Sequence, residues 1–473
     1  MKIEDDPTGS GRTDGRARPH RTAAHELERY SGLFAGRTQL MRSSAMRDLM
    51  AVTARPEVIS LAGGLPDTTT FPPEALAKIM RDLAMRDSAR ALQYGPTEGH
   101  LEARECVVEV MAAEGMSVEA DEVLITTGGQ QVIDLVCKTL IDPGDVIVAE
   151  GLTYPGAVPT FGAYQADVVQ IAMDDYGMRI DVLEKTLDAL AAEGRPPKFI
   201  YTIPSFHNPG GVTMSLERRQ RLVAIAAERE LLVLEDNPYG LLRFEGEPLP
   251  TLRSLDGGNF VIYLGTFSKI LSPGLRLGWT VAPGPVFDKM SLAKQGVDLC
   301  SSSFTQKFVG EYFASNDWRA YVDKLIAVYR ERRDVMFEAL SEHFPRDATW
   351  TRPEGGLFVW ATLPAYIDTT DLLARALREN VAFVPGRGAY LDGRGGSELR
   401  LNFSGVGAAE IREGIRRIGK VISEQVELYS SLTGFDPAPA PAELPRPTSA
   451  GAADEPAEAA RVVPLHRRRA GGR

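Results

Sequence analysis

Cysteine is scarce in this chain. Cys106, Cys137 and Cys300 are the three among 473 residues, far apart and without a CxxC pair. That spacing excludes a disulfide framework or thiolate metal centre and predicts buried free thiols. The six histidines, His20, His25, His100, His207, His343 and His466, lack ligand spacing too, so no metal site is expected. Long apolar runs are missing. No stretch approaches the roughly 18 residues a membrane span needs. The first 30 residues hold no apolar core of the kind a secretory signal carries, so a cytoplasmic location is expected. A basic surplus is also lacking. The net charge of −11 argues against nucleic acid as a partner. The one basic cluster, "RVVPLHRRRAGGR" at 461–473, reads as a solvated charge run.

What is present suits a large soluble core, with 44% hydrophobic and 25% charged residues. Residues 1–30 are polar and aperiodic, and 434–473 are dominated by Pro, Ala and Arg. Both are expected to be disordered tails. Between them, short apolar runs alternate with helical stretches. The runs are "EVLITT" (122–127), "DVIVAE" (145–150), "KFIYTIP" (198–204), "LLVLED" (231–236), "FVIYLGT" (260–266) and "LGWTVA" (277–282). Helices are expected at 131–141 and 216–230. This alternation predicts an α/β domain whose mostly parallel sheet is covered on both faces. Beyond residue 320 a long helix leads to strands at 355–364, 381–385 and 399–404 and a last helix at 408–426, a smaller α+β domain.

Open α/β sheets bind ligands beyond the carboxyl ends of their strands. Five such ends carry Gly128-Gly129-Gln130 before a helix, Tyr154, Asn208, Asp236 with Tyr239, and Ser268-Lys269 with Arg276 following. Each has an ordinary reading as turn chemistry or a snorkelling lysine. Together they suit pyridoxal phosphate. Lys269 can form a Schiff base, and Asp236 can keep the pyridine nitrogen protonated. Backbone N–H groups of Gly129 and Gln130, with Ser268 and Arg276, can hold the phosphate. Asn208 and Tyr239 can bind the ring oxygen, and Tyr154 can stack on the ring.

The motifs "ISLAGGLPDTTTFP" (59–72), "LQYGPTEGH" (92–100), "LITTGGQQVIDL" (124–135), "YTIPSFHNPGG" (201–211), "LEDNPYG" (234–240), "GTFSKILSPGLRLGW" (265–279), "PEGGLFVW" (353–360) and "LRLNFS" (399–404) run in one order along the chain. In this the chain resembles the fold-type-I pyridoxal-phosphate aminotransferases of class I/II, in the branch of the 2-aminoadipate enzymes. The resemblance implies the aspartate-aminotransferase-like fold: a large domain (76–320) with a seven-stranded sheet, a small C-terminal domain (321–428), and an N-terminal arm with a pocket helix (31–75) belonging to the small domain.

It also implies ping-pong transamination between an amino acid and a 2-oxo acid such as 2-oxoglutarate. Lys269 would carry the proton transfer and Asp236 would assist it. Arg400 would grip the substrate carboxylate, and Gly64 and Asn208 would line the substrate site. Tyr94 would arrive from the partner of a homodimer. Ser44 and Arg47, in the segment "SSAMRDL" (43–49), would favour acidic side chains, although an ordinary amphipathic helix reads the same and branched or aromatic donors stay open. Two positions depart from the usual pattern: Gly129 stands where relatives often carry serine, and His207 replaces a common glutamine. A lyase or decarboxylase on the same scaffold is the rival chemistry. An aminotransferase-like transcription regulator is the rival class, but only about 35 polar residues precede the matching region where such a regulator needs an added basic domain.

Overall fold

In the computed structural model, residues 30–41, 49, 55–434 and 461–464 are described. The main sheet runs, in spatial order, Asp167–Ile171, Val146–Glu150, Pro197–Thr202, Leu232–Asp236 and Val261–Thr266, all parallel. Gly278–Val281 follows, antiparallel to Val261–Thr266 on one side and to Val123–Thr126 on the other. These seven strands are α/β in the expected sense.

Their side chains alternate between two apolar layers. Ile147, Phe199, Leu234 and Ile262 pack with Val132, Leu135 and Val136 of the Gly129–Leu140 helix. Val148, Ile200, Val233 and Val261 pack on the other face with Leu183, Leu187, Leu222 and Ile225 of the Ile180–Ala192 and Leu216–Arg229 helices. The period of two along each strand produces this division. Each such side chain contributes about 1.5–3 kcal/mol on burial. Ser215 caps the Leu216–Arg229 helix by accepting from Arg218 N, which fixes where the chain leaves the sheet.

The C-terminal region has its own antiparallel sheet, ordered Thr349–Trp350, Phe358–Thr362, Glu398–Asn402 and Val384–Pro385. The long Trp318–His343 and Ala408–Thr433 helices pack beside it. A two-residue strand, Ile59–Ser60, pairs in parallel with Val381–Ala382. Asn402 N then donates to Leu61 O at 2.8 Å. These bonds carry residues 62–64 to the mouth formed by the main sheet and Arg400.

Four features differ from the sequence reading. Asp167–Ile171 is a buried strand that the apolar-run search passes over, because Asp167 and Gln170 interrupt it. The run 381–385 is divided between two sheets at buried Phe383. The C-terminal tail, expected to carry no structure, supplies a strand at Arg461–Pro464 that pairs antiparallel with Asp167–Ile171 and makes an eighth strand at that edge. Cys106 and Cys137 are buried free thiols, whereas Cys300 is half-exposed. No helix among the described residues is long and apolar enough to cross a membrane.

Candidate active site

The carboxyl ends of the parallel strands and the Arg400 strand enclose a cavity of about 350 Å³. The Val261–Thr266 strand delivers Lys269 to it. Past Thr266 the chain turns, anchored by Phe267, whose ring centroid lies 4.9 Å from that of Trp279. Thr266 Oγ1 donates to Ser268 Oγ at 2.9 Å and accepts from Ser268 N at 3.1 Å. Lys269 Nζ donates to Gly64 O at 2.7 Å. Burial, and next the nearby Arg400 and Arg276 charges, lower the Lys269 pKa to about 8.

Asp236 ends its strand 5% exposed. Tyr201, on the adjacent strand, donates its hydroxyl to Asp236 Oδ2 at 2.6 Å. Burial raises the Asp236 pKa to about 6 despite that bond. Burial, then the Asp236 charge, pushes the Tyr201 phenol well above its ordinary range, so it stays a donor.

Arg400 reaches the same cavity from the small sheet, where it pairs with Trp360 and Val384. Its Nη1 donates to Asn208 Oδ1 at 2.9 Å and its Nη2 to Ala62 O at 2.7 Å. The guanidinium carbon sits 4.4 Å from the Phe358 ring centroid. Burial lowers its pKa to about 10, which leaves it protonated at neutral pH. Asn208 also donates to the Tyr239 hydroxyl at 3.3 Å. His207 holds the Asn208 loop from behind: its backbone N–H bonds Val212 O, its Nδ1 accepts from Gly210 N, and its Nε2 lies 3.1 Å from Glu150 Oε2.

At the other end of the cavity, Gly128 takes φ +78° and opens the Gly129–Leu140 helix. The first N–H groups of a helix have no partner within it. A Cβ on Gly128 would meet Arg276 Nη2 at 2.5 Å, so the arginine lies directly against the turn. Gly278 packs from behind, where a Cβ would stand 2.8 Å from the Gly128 and Gly129 backbone. The Gln130 side chain turns away to bond Gly156 O and Thr160 Oγ1, steadying the Tyr154 loop.

Gly64, Gly129, Gln130, Tyr154, Asn208, Asp236, Tyr239, Ser268, Lys269, Arg276 and Arg400, all singled out from the sequence, line this one cavity. Tyr94 does not; it is 78% exposed. Ser44 and Arg47 lie outside the described residues. Tyr201 and Glu150 were missed. A hydroxyl inside an otherwise aliphatic, fully buried strand needs a partner, and that signal was available for Tyr201.

The residues present fit pyridoxal phosphate. Among the described residues, Lys269, Arg276 and Arg400 set three cations against the one carboxylate of Asp236 around the cavity, which calls for a polyanion. The raised pKa of Asp236 marks a carboxylate short of a cationic or N–H partner, and a protonated ring nitrogen would supply one.

Fold and cavity together define a pyridoxal-phosphate-dependent transferase of fold type I. A family profile described as aminotransferase class I and II matches residues 56–418, and the chain belongs to that family. It is similar to aromatic-amino-acid aminotransferase 1 of Thermococcus litoralis, at 42% identity over 399 residues, covering 84% of this chain and 96% of that one. It is also similar to a Pyrococcus horikoshii kynurenine aminotransferase solved with PMP, with TM-score 0.80 and 39% identity over 85% of this chain and 99% of that one. A third likeness is to the α-aminoadipate aminotransferase of Thermus thermophilus, complexed with N-(5'-phosphopyridoxyl)-L-leucine. That match has TM-score 0.78 and 37% identity, covering 84% and 99% of the two chains. The protein is thus a pyridoxal-phosphate-dependent aminotransferase of the 2-aminoadipate-like branch, acting on an amino acid and a 2-oxo acid. The lyase and regulator alternatives are not favoured.

Proposed function

We propose that the transamination runs through Lys269 as the proton-moving group, with an aromatic, 2-aminoadipate-type or branched amino acid as donor and 2-oxoglutarate as acceptor. The observation that carries the reading is the convergence of Lys269, Asp236 and Arg400 on one cavity. Pyridoxal phosphate, when bound, supplies a carbonyl that condenses with amines and a ring that acidifies the α-carbon of an attached amino acid.

The chain's own residues do the rest. Lys269 Nζ, with a pKa near 8, is close enough to neutral pH to take the α-proton and return it. Asp236 holds the ring N–H, oriented by Tyr201. Asn208 and Tyr239 bind the ring oxygen, and Tyr154 covers the ring face. Gly129, Gln130, Ser268 and Arg276 hold the phosphate. Arg400 binds the substrate carboxylate as a fork, exchanging its present bonds or adding to them, while Gly64 borders the amino group.

Relatives named for aromatic, kynurenine and α-aminoadipate substrates support a broad donor range. In this reading Ser44 and Arg47 favour the acidic donors. A homodimer completes the site, with Tyr94 entering the partner's cavity. The exposure of Tyr94 together with Met85, Leu92 and Leu101 within 17 residues supports a covered face there.

The test is to incubate the cofactor-loaded protein with single amino acids and follow loss of the bound-cofactor visible band. Aromatic amino acids, 2-aminoadipate, glutamate and leucine should each discharge the band, and 2-oxoglutarate should restore it. Inertness toward all four classes would sink the donor assignment.

A further inference from the structure

The Thr127–Gln131 turn is gripped from outside the cavity. Lys294, near the end of the Gly284–Gln295 helix, is fully buried, which is costly for an ammonium without partners. Its Nζ donates to Asp298 Oδ1 at 2.7 Å and to Ser301 Oγ at 3.1 Å. Gln131 Oε1 accepts a third, longer bond at 3.4 Å. The other oxygen of the same carboxylate, Asp298 Oδ2, accepts from Thr127 Oγ1 at 2.9 Å and from Gln131 Nε2 at 2.8 Å. Gln131 Oε1 then accepts the Thr127 backbone N–H at 2.7 Å. One carboxylate therefore ties both ends of the turn that contains Gly128, Gly129 and Gln130.

None of Lys294, Asp298 and Ser301 lines the cavity. Their connection to it runs through Thr127 and Gln131. Gly278 packs closely against the same turn, where an added Cβ would stand 2.8 Å from the Gly128 and Gly129 backbone.

We propose that Lys294 and Asp298 form a positioning pair for cofactor phosphate recognition, in which Asp298 fixes the turn and Lys294 neutralises a carboxylate that would otherwise repel the phosphate. This rests on the reading that Gly129, Gln130, Ser268 and Arg276 hold the phosphate. A group that merely stabilised the fold would affect every ligand of the cavity alike, and removing its partner as well would compound the damage. The positioning role predicts neither.

The test is to titrate protein freed of cofactor with pyridoxal phosphate and, separately, with pyridoxal, which lacks the phosphate. Both titrations are read by the visible band. Lys294→Met should weaken pyridoxal phosphate binding on the order of 10- to 100-fold, by analogy with the loss when groups behind a metal ligand are removed. Pyridoxal binding should be unchanged. The charge-neutral Lys294→Met/Asp298→Asn protein should regain most of the loss. Thr127→Val, which removes the hydroxyl bonded to Asp298 Oδ2 and Ser301 Oγ at an exposed loop, should show a smaller loss with the same selectivity. It also serves if Lys294→Met does not fold. Equal losses for both ligands, or no loss in either single variant, would overturn the proposal. Arg276→Met is the reference: if it fails to separate the two ligands, the phosphate reading falls and the proposal with it. If it separates them while the Lys294 and Thr127 variants do not, the positioning pair alone is refuted.

Discussion

Replacing Lys269 should stabilise the cofactor-free protein at neutral pH. The ammonium of Lys269 is desolvated and faces Arg400 and Arg276, with Asp236 as its compensating charge, and its pKa falls from 10.5 to about 8. A shift of that size, at about 1.4 kcal/mol per unit, corresponds to ~3 kcal/mol of strain in the protonated form. Between the two pKa values the unfolded chain binds more protons than the folded one, so the strain is fully present below pH 8 and is relieved as pH rises toward 10.5. Lys269→Met removes it. The substitution also loses the bond to Gly64 O, on the order of 1 kcal/mol, at any pH. The informative quantity is therefore the difference between two pH values. Urea unfolding of the cofactor-free wild type and Lys269→Met should show a stability gain about 2–2.5 kcal/mol larger at pH 7 than at pH 10. Asp236, at about 6 in the wild type, is mostly ionised at both pH values; losing the Lys269 charge raises it further, which widens the difference between pH 7 and pH 10 in the same direction. An equal gain at the two pH values, or a larger one at pH 10, would refute the charge-strain reasoning.

Three further outcomes are expected. Arg400→Met removes the buried cation held by Asn208 and Ala62. It should lower kcat/KM for amino acids by about 2–5 kcal/mol, or 30-fold and more, largely through KM. Steady-state kinetics with an amino acid and its decarboxylated amine would check it, since the amine should not feel the change. Gly278→Ala drives a Cβ to 2.8 Å from the Gly128 and Gly129 backbone, and should cost about 1–3 kcal/mol in urea unfolding together with weaker cofactor retention. Deleting residues 461–473 should leave transamination intact but speed hydrogen exchange at alternate amides of Asp167–Ile171, whose edge the Arg461–Pro464 strand covers.

Much of the site was legible because buried parallel strands announce themselves as aliphatic runs, and the residues just past each run must sit at one edge of the sheet. Lys269, Asp236, Asn208 and Arg276 were found that way. Asp167–Ile171 was not, since its two polar side chains are used internally: Asp167 pairs with Arg195 at 2.5 Å, and Gln170 bonds Gly151 O, Thr153 Oγ1 and Leu391 N. Pairings of that kind connect residues 28 or 221 positions apart and leave no local periodicity. The Lys294–Asp298 pair was hidden for the same reason. Its spacing of four is ordinary for a helical surface pair, and only the fold shows the lysine to be buried behind Thr127 and Gln131. Tyr94 reads differently again: its motif was visible, but in one chain it points to solvent.

The central claim is that Lys269 is the residue through which bound cofactor exchanges amino groups. The most direct measurement is the visible absorption spectrum of the purified protein with pyridoxal phosphate, before and after a donor amino acid, compared with Lys269→Ala. The account predicts a band in the wild type that the donor discharges and a 2-oxo acid restores, with no such cycle in the variant. A variant that cycles like the wild type, or a wild-type band that no amino acid discharges, would contradict it.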